Sequence, residues 1–278
     1  MSVSPHSKWY FSKERLSNTP SRKCNVLAER EEDYRQQAAS FIQQLGQRLQ
    51  VTQLCINTAI VYMHRFYVFH SFTMFRRHHV SAAALFLAAK VEDQPKRLEH
   101  VVKLCYNSMN KDGPSLVLST KCEQYRAEAQ EIVSNENIIL QTLGFDVAVE
   151  HPHTHVLNCC DALNLPEEFA QVSYVLATSS LHLTTLCLRF SPEVVACVCI
   201  YIANSWSICN PLSEREKSWY HFLDSSIKIE QIEILKQEFQ EIFERNPCMK
   251  MKMNHSLSDI KKNRVSVFSS DLIFKFLD

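Results

Sequence analysis

Apolar residues recur with helical spacing along most of this chain. Tyr34, Ala38, Phe41, Ile42, Leu45 and Leu49 fall at i, i+4, i+7, i+8, i+11 and i+15, so an amphipathic helix is predicted from near Asp33. Residues 52–70 are apolar on nearly every face and predict a second, enclosed helix. Ala82 to Ala89 is an unbroken apolar run with no β-branched residue, a helix that must be surrounded by others. Lys90, Glu92 and Asp93 follow at its rim, and Pro95 stops it. Residues 97–106 predict a short fourth helix, and Lys111 to Ser115 a loop. A long fifth helix is predicted over 121–143, with Gly144 at its C′ position.

His151-Pro152-His153 interrupts this pattern and reads as a linker. A second set of helices follows, predicted near 153–163, 167–180 after Pro166, 193–206 after Pro192, 214–222, and 229–245 before Pro247. Ile232, Leu235, Phe239, Ile242 and Phe243 form the last apolar stripe. The two halves echo each other. Ala82–Ala89 matches Val194–Tyr201 in character at an offset of about 110 residues, and each is the third helix of its set. The predicted fold is all-α, with two five-helix bundles each built around a buried third helix.

Composition narrows the function. Apolar residues make up 46% of the chain, enough for a sizeable core, and glycine occurs only at Gly46, Gly113 and Gly144. So few glycines argue against phosphate loops, dinucleotide folds and many-stranded β architectures. Lys+Arg and Asp+Glu are balanced at 30 each, so no general attraction to nucleic acid is expected. The 11 cysteines include no Cys-x-x-Cys pair, and most lie in apolar helical runs. Reduced core thiols in a cytosolic or nuclear protein are expected, with no leader peptide. No apolar run is long enough to span a membrane, so no membrane association is expected. Residues 1–30 are expected to be extended, with Trp9-Tyr10-Phe11 anchoring them.

Candidate chemistry is sparse. Lys90 could simply balance the negative end of its helix dipole. Glu136 falls on the stripe of Ile132, Ile139, Leu140 and Leu143, where a carboxylate must be solvated at an edge or paired. His151, His153 and His155 have ligand chemistry but no fourth donor in reach; capping or ordinary linker roles are expected, with no metal and no cofactor. Arg76, Arg77, His78 and His79 read as a solvated basic loop. Lys250, Lys252, Lys261, Lys262 and Arg264 form a weak basic cluster in an unstructured tail, insufficient for strong nucleic-acid binding. No spacing supports a nucleophile with its base or paired catalytic carboxylates, so no catalytic residue is expected.

Tandem five-helix units with small-residue third helices resemble the tandem cyclin box. Longer motifs narrow the likeness to the cyclin T family: Trp9-Tyr10-Phe11, Tyr34-Arg35-Gln36-Gln37-Ala38-Ala39, the run Ile56 to Tyr67, Leu85 to Glu92, Ile138 to Phe145, His151 to Val156, Ser180 to Thr185 and Pro192 to Ile200. The resemblance covers about residues 8–247. It divides the chain into an N-terminal extension (1–30), a first cyclin box (31–147), a second (148–246) and a divergent tail (247–278).

The resemblance implies a nuclear regulatory subunit without catalysis of its own. Cyclin T proteins bind and activate the cyclin-dependent kinase of positive transcription elongation factor b, which phosphorylates the C-terminal repeats of RNA polymerase II. Other regulatory proteins dock on the cyclin boxes. By position, the kinase contacts would be Phe86, Lys90, Asp93, Glu136 and Phe145. Asp93 stands where the family usually has Glu. The Met-Arg-Ala-Ile-Leu docking run of cell-cycle cyclins is replaced by Tyr34-Arg35-Gln36-Gln37-Ala38, so that groove is not expected to work here. After Pro247 the family's arginine-rich segment is missing, so RNA binding and capture by a viral transactivator do not carry over. A truncated isoform that competes for the kinase is one alternative. A DNA-bound adaptor like general transcription factor B is another, but it would need a zinc ribbon and a basic surface, and Cys24 has no cysteine neighbour.

Overall fold

Capping chemistry sets where the chain first turns helical. In the computed structural model, which describes residues 7–110, 119–206, 212 and 219–246, the Ser12 hydroxyl accepts from Arg15 N and the Thr19 hydroxyl from Arg22 N. These caps open α1 (Lys13–Ser17) and α2 (Pro20–Lys23), and a 3-10 turn spans Ser7–Trp9. The segment expected to be extended is therefore folded into short turns that apolar periodicity cannot reveal. Trp9 is buried, as an anchor should be. The expectations for residues 247–278 fall outside the described residues.

The chain divides into two compact units, Phe11–Val149 and a second joining Met1–Tyr10 to Glu150–Asp278. The described residues contain helices and no strand. In the first unit α3 (Ala28–Leu49), α4 (Gln53–Phe69), α6 (Leu98–Met109) and α7 (Glu123–Thr142) all pack on α5 (Arg77–Val91). Every residue from His79 to Ala89 is buried, as an apolar helix without a polar face requires. Gly46 lets α3 approach α4: a Cβ there would lie 2.5 Å from Ile56 Cγ1.

A buried polar network fixes the entry to this unit. Arg35 donates from Nη1 to the carbonyl of His64 (3.1 Å) and from Nη2 to that of Tyr67 (3.0 Å). The Tyr67 carbonyl lies in the last turn of α4 and has no intrahelical donor. Arg35 also pairs with Glu31 at 3.1 Å, and Thr19 donates to the other Glu31 oxygen at 2.8 Å. Such a buried pair is tolerated because its donors and acceptors are satisfied on several sides.

The second unit repeats the plan with α8 (Pro152–Ala162), α9 (Glu167–Leu183), α10 (Pro192–Trp206) and α11 (Ile229–Glu244). α10 packs on the other three. The helix predicted near 214–222 is a 3-10 turn over Trp219–Phe222 in its described part. Cys55 and Cys105 in the first unit, and Cys159, Cys160, Cys197 and Cys199 in the second, are buried free thiols, as expected of reduced core cysteines. Burial pushes the Cys159 thiol up to about 11, too high for a reactive thiolate.

Two imidazoles are sealed into the second unit. Burial, helped by neighbouring His151, holds His153 down to about 3, and burial alone holds His182 down to about 4. An unfolded histidine titrates near pH 6.5, so between about 6.5 and 4 the unfolded chain binds protons that the folded chain does not. Stability is therefore complete above about pH 6.5 and lost as pH falls through that window. Urea unfolding should show a lower midpoint at pH 5 than at pH 7, and His182→Leu should shrink the difference. Equal midpoints at the two pH values would contradict this account.

Candidate partner-binding face

α5 carries its basic residues near its two ends. At the C-terminal end, Lys90 Nζ lies 2.6 Å from Glu136 Oε1 on α7. The same ammonium sits 4.0 Å from the ring centroid of Phe86, one turn earlier on α5. Phe86 and Glu136 are buried, whereas 45% of the Lys90 side chain remains exposed. Glu136 thus resolves its conflict with the apolar stripe by pairing at the rim. The group has one hydrophobic anchor, one buried carboxylate and one half-solvated cation.

A second polar contact gives the relative direction of the two helices. His79 Nε2 is 2.8 Å from Glu128 Oε2, so His79 to Lys90 along α5 runs alongside Glu128 to Glu136 along α7. The helices are parallel, and their C-terminal ends lie at the same end of the unit. This corrects the expected basic loop. Arg77, His78 and His79 begin α5; His79 is buried against α7, and the His78 ring lies 4.8 Å from that of Phe41. Facing carboxylate and aromatic groups on other helices took these residues out of solvent, which local charge could not reveal.

Both helices close with left-handed residues. After α7, Gly144 N donates to Gln141 O and Phe145 N to Leu140 O, with Gly144 at the expected C′ position. Phe145 is also left-handed, at φ 61°, and 69% exposed. After α5 the left-handed position falls to Asp93, at φ 53°, with Gln94 N donating to Ala89 O at 2.8 Å. A bulky exposed aromatic and a carboxylate at such positions are held there by neighbouring structure. The structure brings Phe86, Lys90 and Glu136 into direct contact. It places Asp93 and Phe145 beyond the adjoining helix ends, with both side chains exposed.

The three linker histidines do not converge. His151 is the N-cap residue of α8, and His153 Nε2 lies 2.9 Å from Thr178 Oγ1. His155 Nε2 faces Glu150 at 2.9 Å and Glu193 at 3.9 Å, the one three-donor cluster among the described residues, and it is partly exposed.

The family model for the cyclin N-terminal domain matches residues 7–148. The chain belongs to the cyclin family. The cyclin-T2-like C-terminal domain model matches residues 151–242, so the likeness to cyclin T read from the motifs is borne out. This cyclin is 48% identical to mouse cyclin-T2 over 93% of its own length and 36% of that protein. It is 51% identical to Drosophila melanogaster cyclin-T over 88% of its length and 22% of that protein, and 48% identical to human cyclin-T1 over 87% and 33%. The chain thus spans about a third or less of these relatives. Among solved structures it resembles a chain of the yeast RNA Pol II CTD kinase CTDK-1 complex, with a TM-score of 0.61 and 18% identity, over 70% of this chain and 62% of that one. A chain of the yeast TFIIK complex aligns with a TM-score of 0.58 and 16% identity, over 86% and 98%. These likenesses bear out the all-α fold.

The turn at Asp93 makes a stability prediction. Left-handed backbone costs a non-glycine residue about 1–2 kcal/mol, and glycine returns part of that through a more flexible unfolded chain. Asp93→Gly should stabilise the cyclin by about 0.5–1 kcal/mol in thermal melts. A lowered melting temperature would mean that the carboxylate supports the fold.

Proposed function

We propose that this cyclin is the regulatory subunit of a nuclear transcription-elongation kinase, the cyclin-dependent kinase of positive transcription elongation factor b. In this reading it promotes phosphorylation of the RNA polymerase II C-terminal domain and has no catalytic activity of its own. The observation that carries the reading is the convergence of Phe86, Lys90 and Glu136 at the parallel ends of two core helices. A kinase of this class becomes active when the glutamate of its regulatory helix reaches its phosphate-binding lysine. Holding that helix in place needs rigid contacts, and α5 and α7 provide them. Phe86 supplies apolar contact, Lys90 and Glu136 supply a charged pair, and Asp93 and Phe145 extend the face beyond the helix ends.

Glu136→Ala tests the assignment. Lys90 is half exposed, so the freed ammonium can hydrate and the fold should lose no more than about 1 kcal/mol. Inside a dry interface the same truncation costs about 2–5 kcal/mol, because a charge is left unpaired. Kinase affinity should therefore fall by about 30-fold to several thousand-fold while the melting temperature changes little. Calorimetry with the purified kinase, paired with its activity on polymerase repeats, reads both effects. Normal binding by a folded variant would remove Glu136 from the interface.

A further inference from the structure

The segment that leaves α5 is stitched by alternate residues to α4 and to the turn between α3 and α4. Glu92 Oε1 accepts from Thr58 Oγ1 at 2.8 Å, the Gln94 amide pairs with Thr52, and Lys96 Nζ donates to Gln50 O at 3.3 Å. Asp93, Pro95 and Arg97, the residues between and after them, are exposed. The turn and the residues after it thus have one side fastened and one side presented.

Gln94 is the central fastening. Thr52 is the N-cap of α4, and its hydroxyl accepts from Cys55 N at 3.5 Å. In a capping box, a Glu or Gln at N3 would reach back to the N-cap N–H. Here N3 is Cys55, which cannot do so. Gln94 supplies the missing group from 42 positions along the chain: Thr52 N donates to Gln94 Oε1 at 2.9 Å, and Gln94 Nε2 donates to Thr52 Oγ1 at 2.7 Å. The backbone of Gln94 meanwhile closes α5 through Ala89 O. One residue therefore joins the start of α4 to the left-handed turn that carries Asp93.

We propose that Gln94 is a positioning residue for the partner surface: by capping α4 at Thr52 it fixes the turn that presents the Asp93 carboxylate to a cationic side chain of the kinase. The inference rests on the proposed kinase-binding role of this face. Gln94 touches no partner itself. It restricts Asp93 to one orientation, so that the carboxylate does not have to be ordered on binding.

A double-mutant cycle on the full chain with the purified elongation kinase tests this. Asp93→Asn keeps the left-handed preference and removes the charge, and should weaken binding about tenfold. Gln94→Ala should weaken binding about fivefold in the wild-type background but less than about twofold in the Asp93→Asn background, because its effect passes through Asp93. Gln94→Glu can accept from both the Thr52 N–H and its hydroxyl, and should restore affinity to within about twofold. A purely stabilising role for Gln94 would give equal losses in both backgrounds, and that result overturns the proposal. Normal binding by Asp93→Asn, with binding lost in Glu136→Ala, overturns it too while leaving the kinase-binding reading intact. Normal binding by both variants sinks that reading itself.

Discussion

A helix with no polar face cannot sit on a surface, and this constraint organises the protein twice. α5 and α10 are apolar all round, so each must be enclosed, and enclosure requires at least three partner helices. Alanines along α5 let those partners come close, and Gly46 does the same where α3 meets α4. Burial also dictates where polar chemistry can go. Long polar side chains on α5 occur near its two ends, where His79 meets Glu128 and Lys90 meets Glu136. The candidate site is thus a consequence of the core: the end of an enclosed helix is a rigid place where a charge can still reach solvent.

Much of this was legible in the sequence because burial writes itself as periodicity. The five long helices of the first unit and four of the second follow from apolar spacing, with ends marked by Gly144 and by Pro166 and Pro192, whereas Pro152, read as part of a linker, is the first residue of α8. The pairing need of Glu136 was also legible, since a carboxylate on an apolar stripe demands a partner. What escaped is chemistry between segments far apart in sequence. α1 and α2 owe their existence to Ser12 and Thr19 caps and too few residues to show a period. His79 looked solvated because Glu128 lies 49 positions away. Gln94 carried one available signal, the lack of Glu or Gln at N3 after Thr52, which implies a capping group from elsewhere without saying which.

The buried Arg35 network bears on the same face indirectly. Arg35 spends its guanidinium on Glu31 and on two α4 carbonyls, and its charge also lies 5.8 Å from the Phe72 ring centroid. It is 4% exposed and so anchors α3 to α4 without offering anything to a partner. α4 is therefore tied at its C-terminal end by Arg35 and at its N-terminal end by Gln94. A helix secured at both ends transmits little slack to α5, the helix it packs against, as the proposed kinase-binding role of that face would require.

The internal repeat carries the argument one step further. In the register that matches Ala82–Ala89 to Val194–Tyr201, Lys90 falls against Ile202, which is fully buried. The second core helix thus keeps an apolar residue where the first breaks out of its core. Its neighbours differ accordingly. α10 carries two buried cysteines, Cys197 and Cys199, near its middle and has an acidic residue, Glu193, in its first turn, with no basic residue in its last. One scaffold has been used twice, and only the first copy ends its core helix in a cation facing a buried carboxylate. Two enclosed helices follow one plan, and a lysine at the rim of the first marks the face proposed to bind the kinase.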